Sequence, residues 1–191
     1  MQIFDFLLFI CTRVPFRYRG KNMRQQDDIA FVKLKNPLRY SETIASICIP
    51  KVERDTASKY IPSNLKGFIT GYGLRNQLER LKMLTLAYHD CNSKSPPDTP
   101  VASDKFCVYN NEGASVCRGD SGGGFFQQLR NHDDIENTYR LLGVISNTPT
   151  TKNDCTRTDD DAYVAITNIY YMDQQLYTKL QNAISEDVTL F

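Results

Sequence analysis

The sequence predicts an all-β protein, and three observations carry that expectation. Short apolar or β-branched runs recur along most of the chain. Clusters of Gly, Pro, Asn, Asp and Ser separate them, as turns require. Only the C-terminal stretch shifts to a helical period. Many short strands at fairly even spacing build a sandwich or a barrel.

The elements follow in chain order. The opening "MQIFDFLLFICT" holds an apolar run too short to span a bilayer. It reads as the core of a signal peptide, although Asp5 interrupts it, or equally as a buried strand or a mis-assigned start. From Asp28, "DIAFVKLK" alternates, with Ala30, Val32 and Leu34 on one face, and stops at the turn signal "NPLRY", which makes it a strand. "ASICIP", "LKGFITGYG", "RLKMLTLAYH", "KFCVY", "GGFFQQL", "YRLLGVIS" and "DAYVAIT" are further strand candidates. In "TNIYYMDQQLYTKLQNAIS", Ile169, Met172, Leu176, Leu180 and Ile184 recur at steps of three and four, with Thr167 or Asn168 able to cap the start. That is an amphipathic helix whose apolar stripe packs onto the barrel.

Composition excludes several function classes. The chain has 191 residues, 41% of them hydrophobic, and a formal net charge of +1, which is enough for one or two modest cores. Its 23 basic and 22 acidic residues are interspersed, so no electrostatic footprint for nucleic acid or an anionic membrane surface is present. Six cysteines (Cys11, Cys48, Cys91, Cys107, Cys117 and Cys155) are widely spaced, without the CxxC or paired Cys/His grouping of a zinc site. Disulfides, and hence an oxidising, secreted setting, are expected in place of a metal or cofactor. Six cysteines allow fifteen connectivities, among which spacing does not choose.

The chemistry concentrates in "VCRGDSGGG", residues 116–124, where Ser121 stands between an acid and three glycines. A serine hydroxyl is a weak nucleophile at neutral pH and needs a base within hydrogen-bond reach, together with donors for the oxyanion that develops on a carbonyl substrate. Glycines flanking it let the backbone turn tightly enough for the amides of Gly119 and Ser121 to serve as those donors. "GDSGG" also satisfies the G-x-S-x-G elbow of α/β-hydrolases, but there the acid and then the histidine follow the serine, and here His132 is the only later histidine, among short strands.

Taken together and in this order, "DIAFVKL", "FITGYG", "CRGDSGGG" and "GVISN" resemble the trypsin/chymotrypsin family of serine proteases, from about Val14 to about Ile184. The resemblance implies a double β-barrel fold and a serine-type endopeptidase. Ser121 corresponds to the nucleophile and Asp28 to the buried acid that orients the histidine. Gly119 and Ser121 correspond to the oxyanion-hole residues, and Asp120 to the acid that accepts the new N-terminal ammonium when a zymogen is cut. Ser146, Asn147 and Thr148 resemble the strand along which substrate backbone pairs.

In the family the triad order is His, Asp, Ser, yet no histidine precedes Asp28. The two histidines, His89 in "LAYHDCN" and His132 in "LRNHDDIEN", read as solvated loop residues. The chain therefore resembles a protease lacking most of its first barrel. Residues 1–13 are unmatched, 14–60 hold the end of the first barrel and the interdomain connection, and 61–191 hold the second barrel and the C-terminal helix, at about 168–185. Without its general base, this polypeptide alone is expected to be nearly inactive.

By the same resemblance, Ser115 lies at the base of the primary specificity pocket, where no fixed negative charge stands. Asp161, two before Tyr163, falls on the opposite pocket wall, or else belongs to a plain acidic turn in "TDDDAY". Thr148 stands where many relatives have glycine and narrows the entrance. Cys91 pairs with Cys107 and Cys117 with Cys155, while Cys48 resembles the cysteine that tethers a catalytic domain to an upstream regulatory chain. Cys11 has no counterpart. "PFRYRGK", the triple glycine and the polar insertion before "YRLLGVISNTP" resemble the modular serine proteases of arthropod innate-immune cascades, whose substrates are proteins, other zymogens among them. The alternative is a protease homologue that has lost its base and binds a partner through the barrel surface.

Overall fold

A computed structural model describes residues 26–30, 34, 36, 38–49, 61–72, 77–95, 100–117, 119–129, 138–148 and 163–171. Six antiparallel strands close into a barrel: β1 (Lys66–Gly71), β2 (Glu79–Leu86), β3 (Lys105–Tyr109), β4 (Gly124–Leu129), β5 (Thr138–Asn147) and β6 (Val164–Asn168). Around the barrel the order is β1, β2, β3, β6, β5, β4, and β4 closes the ring by pairing with β1. Closure leaves no open sheet edge, which removes the usual liability of a small all-β domain. A short helix, α1 (Tyr88–Lys94), joins β2 to β3.

The core is built from alternate strand positions. Ile69, Met83, Phe106, Val108, Phe125, Leu142, Ile145, Val164 and Ile166 pack as one cluster inside the barrel. Burying a side chain such as Phe125 or Ile166 contributes roughly 1.5–3 kcal/mol. Under α1, Cys91, Val101, Cys107 and Tyr163 make a second cluster, stapled by the Cys91–Cys107 disulfide. In a third, Ile29 and Ile49 from the chain before the barrel meet Leu141 of β5 and Ile169.

One strand, β5, departs from simple alternation twice. Opposite β4, Phe125 faces Gly143 and Phe126 faces Leu141, so Leu142 is an extra residue in β5. Opposite β6, Ile145 faces Ile166 and Asn147 faces Ala165, which makes Ser146 extra. Such bulges leave one residue outside the ladder and re-aim its side chain.

Three expectations need adjustment. Asp28, Ile29 and Ala30 are not in a strand: Asp27 adopts a left-handed φ of 58° and the Ile29 amide donates to the Asp27 carbonyl at 2.9 Å, so this stretch is a tight turn. Within it Ile29 packs against Ile169 while Ala30 is exposed. "ASICIP" supplies only a single parallel bridge, Cys48 to Arg140, set beside the part of β5 that extends past β6. In "LAYHDCN", Leu86 ends β2, Ala87 is the N-cap, and His89 with its neighbours stands on α1 rather than in a loop.

Of the C-terminal helix, the described residues include a 3-10 turn, Ile169–Tyr171, in which Asn168 Oδ1 accepts the Tyr170 amide at 2.9 Å. The rest of residues 168–185 lies outside the described residues, as do most of residues 1–13 and 14–60, so those boundaries stay expectations. Among the described residues no helix is long and apolar enough to cross a membrane.

Candidate active site

The serine loop is folded by its own backbone and by one carboxylate. The Asp120 amide donates to the Cys117 carbonyl at 3.1 Å, and the Cys117 amide donates to Asp120 Oδ2 at 2.8 Å. Asp120 is buried, with its carboxylate lying over Gly71 at the end of β1: a Cβ on Gly71 would stand 2.0 Å from Asp120 Oδ1. Only glycine leaves room for that approach. Gly122, at φ +86°, turns the chain into β4 in a conformation that residues with a Cβ adopt at a cost.

Ser121 sits at the exposed apex of this loop. Its position is fixed from the next residue on: the Gly122 amide donates to the Ile145 carbonyl at 2.9 Å, and the Ile145 amide donates to the Gly123 carbonyl at 2.8 Å. Gly119 and Ser121 are both exposed, and among the described residues neither amide has a hydrogen-bond acceptor within the chain.

Asp28 reaches the same place from the other end of the sequence. The Ser146 hydroxyl donates to Asp28 Oδ2 at 2.6 Å, and the Thr167 hydroxyl donates to the Asp28 carbonyl at 3.0 Å. The bulge that frees Ser146 from the ladder lets its side chain make this contact. Ile145 holds the serine loop and Ser146 holds the acid, so two consecutive residues of β5 bring the two anchors together.

The remaining candidates divide. Ser115, Ser146, Asn147 and Thr148 are half-buried, the last three at the C-terminal end of β5 and just beyond it. Asp161, Cys155 and His132 lie outside the described residues. His89 is on α1 with its side chain 92% exposed, 3.6 Å from Asp90, and makes no contact with the serine loop. Cys91 and Cys107 are joined by a disulfide. Cys117 is also disulfide-bonded, with a cysteine outside the described residues, while Cys48 is a free, exposed thiol.

Several residues that shape the site escaped the sequence reading. Gly71 lies in "FITGYG", whose second half offered the signal. Lys105, 5% exposed, lies under Asp28 and donates to Thr167 Oγ1 at 2.9 Å. Burial pushes the Lys105 ammonium below its ordinary range, against the pull of the Asp104, Asp28 and Asp27 carboxylates. Beside α1, the Tyr163 hydroxyl shares a hydrogen bond with Ser95 Oγ; burial pushes its pKa up, and the Ser95 hydrogen bond acts the other way.

Comparison with known proteins settles the family. The family model described as Trypsin matches residues 13–172. The chain belongs to the trypsin family of serine proteases. It is 25% identical over 172 residues to a modular serine protease of Drosophila melanogaster, a match covering 87% of this chain and 26% of that protein. It is 27% identical over 146 residues to melanization protease 1 of the same fly, covering 72% of this chain and 36% of the relative. It is 32% identical over 133 residues to the complement C1s subcomponent of Rattus norvegicus, covering 63% and 18%. The chain thus spans about a fifth to a third of the length of these relatives. The closed six-stranded barrel is consistent with one half of the trypsin-like double barrel.

Proposed function

We propose that this chain carries the serine, the acid and the oxyanion-hole amides of a serine endopeptidase, and that its general-base histidine comes from outside these 191 residues. One observation supports this most: Asp28 and the Ser121 loop, far apart in sequence, are anchored on the consecutive residues Ser146 and Ile145.

In this reading an added histidine, oriented by the Asp28 carboxylate, takes the Ser121 proton as Oγ attacks the scissile carbonyl. The amides of Gly119 and Ser121 stabilise the oxyanion. The histidine then protonates the leaving amine, and water releases the acyl group by the reverse sequence. Asp120 receives the ammonium of a cleaved zymogen, and its present seat over Gly71 is the place from which it would do so. Substrate backbone pairs along Ser146, Asn147 and Thr148, and Ser115 and Asp161 line the side-chain pocket. Cys117 pairs with Cys155, and Cys48 joins an upstream regulatory chain. We place this protein in a secreted proteolytic cascade acting on protein substrates: the fly relatives are named a modular serine protease and a melanization protease, and the Cys91–Cys107 disulfide suits an oxidising compartment.

The absence of any histidine before Asp28 favours a second reading, a non-catalytic homologue that binds a partner. Extending the transcript upstream of Met1 and expressing its product separates the two. The enzyme reading expects an in-frame histidine segment and a fluorophosphonate probe that labels the extended protein on Ser121 but not its Ser121→Ala variant. A confirmed start at Met1 with no labelling supports the binding protein.

A further inference from the structure

Behind the Asp28 carbonyl runs a hydrogen-bond chain, headed by the buried Lys105, that the triad chemistry does not require. Lys105 opens β3 directly opposite Thr167 of β6, so their side chains share one face of the sheet. The Lys105 ammonium is taken out of water and donates to Thr167 Oγ1 at 2.9 Å. That same hydroxyl donates onward to the backbone carbonyl of Asp28 at 3.0 Å. One residue earlier, the Asp27 amide donates to Asp104 Oδ2 at 2.9 Å, while the Asp104 carbonyl accepts the Asn168 amide at 2.9 Å. Asp104 Oδ1 is buried with no hydrogen-bond partner among the described residues.

We propose that Lys105 is a positioning residue: its ammonium holds the Thr167 hydroxyl, which in turn holds the Asp28 carbonyl, and so latches the Asp27–Asp28 turn onto β3 and β6 and fixes the acid against Ser146. Besides these bonds the turn is held by the Ser146 hydroxyl on the Asp28 carboxylate. It lies outside the barrel ladders, it contains a left-handed aspartate, and its apolar anchor is Ile29. Removing the ammonium takes away the donor that fixes Thr167 Oγ1 under the turn, and among the described residues the turn, unlike β3 and β6, belongs to no ladder. The latch stands on packing and charge; its bearing on acyl transfer rests on the reading proposed above.

Amide exchange of the 191-residue chain, followed by NMR, tests the latch without any turnover. The Asp27 and Ile29 amides, protected by Asp104 Oδ2 and the Asp27 carbonyl, should exchange about tenfold faster in Lys105→Met, which keeps the volume and loses the charge, while Ile145 in the β4–β5 ladder stays at its wild-type rate. Lys105→Arg, which restores a cation, should return Asp27 to near its wild-type rate; a merely space-filling role would make methionine the better replacement. If Lys105→Met does not fold, Thr167→Val cuts the bond to the Asp28 carbonyl with little change of shape and should speed the same two amides. Wild-type exchange at Asp27 in Lys105→Met, or in Thr167→Val where the first does not fold, overturns the latch, as does an arginine variant no better than methionine. The measurement does not depend on Ser121, so the latch and the protease reading fail separately.

Discussion

The Ser146 hydroxyl donates to the Asp28 carboxylate at 2.6 Å across 118 positions of sequence, and it does so from a bulge in β5. A short bond to a charged acceptor is one of the stronger polar contacts a fold can make. Ser146→Ala should therefore destabilise the chain by roughly 1–3 kcal/mol, read as a lower urea midpoint with an unchanged slope. An unchanged midpoint would mean that Asp28 is held by its backbone contacts alone.

Gly71 and Asp120 occupy one another's space. Gly71→Ala places a methyl where Asp120 Oδ1 stands, so the loop must shift, at a cost of about 1–3 kcal/mol. In an Asp120→Ala background the same substitution should cost at least about 0.5 kcal/mol less, because the clashing carboxylate is gone. Chemical denaturation of the four proteins in this cycle measures the difference.

The Cys91–Cys107 disulfide closes a loop with a sequence separation of 16 between β3 and α1. Replacing both cysteines by serine should cost about 3 kcal/mol in the loop-entropy account. Thermal melts under non-reducing conditions check this, and the loss should centre on α1, where Cys91 and Cys107 pack with Val101 and Tyr163.

Two buried groups set opposite alkaline trends. Lys105 has its pKa lowered from the ordinary 10.5, chiefly by desolvation, so between the folded value and 10.5 the unfolded chain binds more protons and stability rises with pH. That contribution is fully present above 10.5 and is lost as pH falls through the folded value. Tyr163 has its pKa raised from 10.0, also by burial, so its contribution is fully present below 10.0 and is lost as pH rises through its folded value. Relative to wild type, Lys105→Met should lose the alkaline gain and Tyr163→Phe should lose the alkaline decline. Urea midpoints across this range distinguish the two by sign.

The barrel was legible in the sequence because its strands are what propensity and alternation detect: "KFCVY" is β3 and "GGFFQQL" contains β4. Helix α1 was not, since it spans seven residues and its N-cap, Ala87, offers no side-chain cap. "DIAFVKLK" has a strand pattern, yet Asp27 to Ala30 take their shape from tertiary partners, Asp104 and Thr167 among them, which local reasoning does not see. At the site, Ser121 and Asp28 stood out by residue type and by family resemblance. That the Ser146 hydroxyl holds Asp28 was not legible, because a one-residue bulge leaves no mark in composition or period. Lys105 at the head of a strand reads as a solvated charge; only the closed barrel shows that it is buried, with its ammonium on Thr167 Oγ1.

The rate of peptide-ester hydrolysis by the upstream-extended protein, compared with its Ser121→Ala and Asp28→Asn variants, tests the central claim most directly. Turnover should vanish with Ser121→Ala and fall by about four orders of magnitude with Asp28→Asn, as expected when the acid that fixes the histidine tautomer is neutralised. Hydrolysis that survives Ser121→Ala would contradict it.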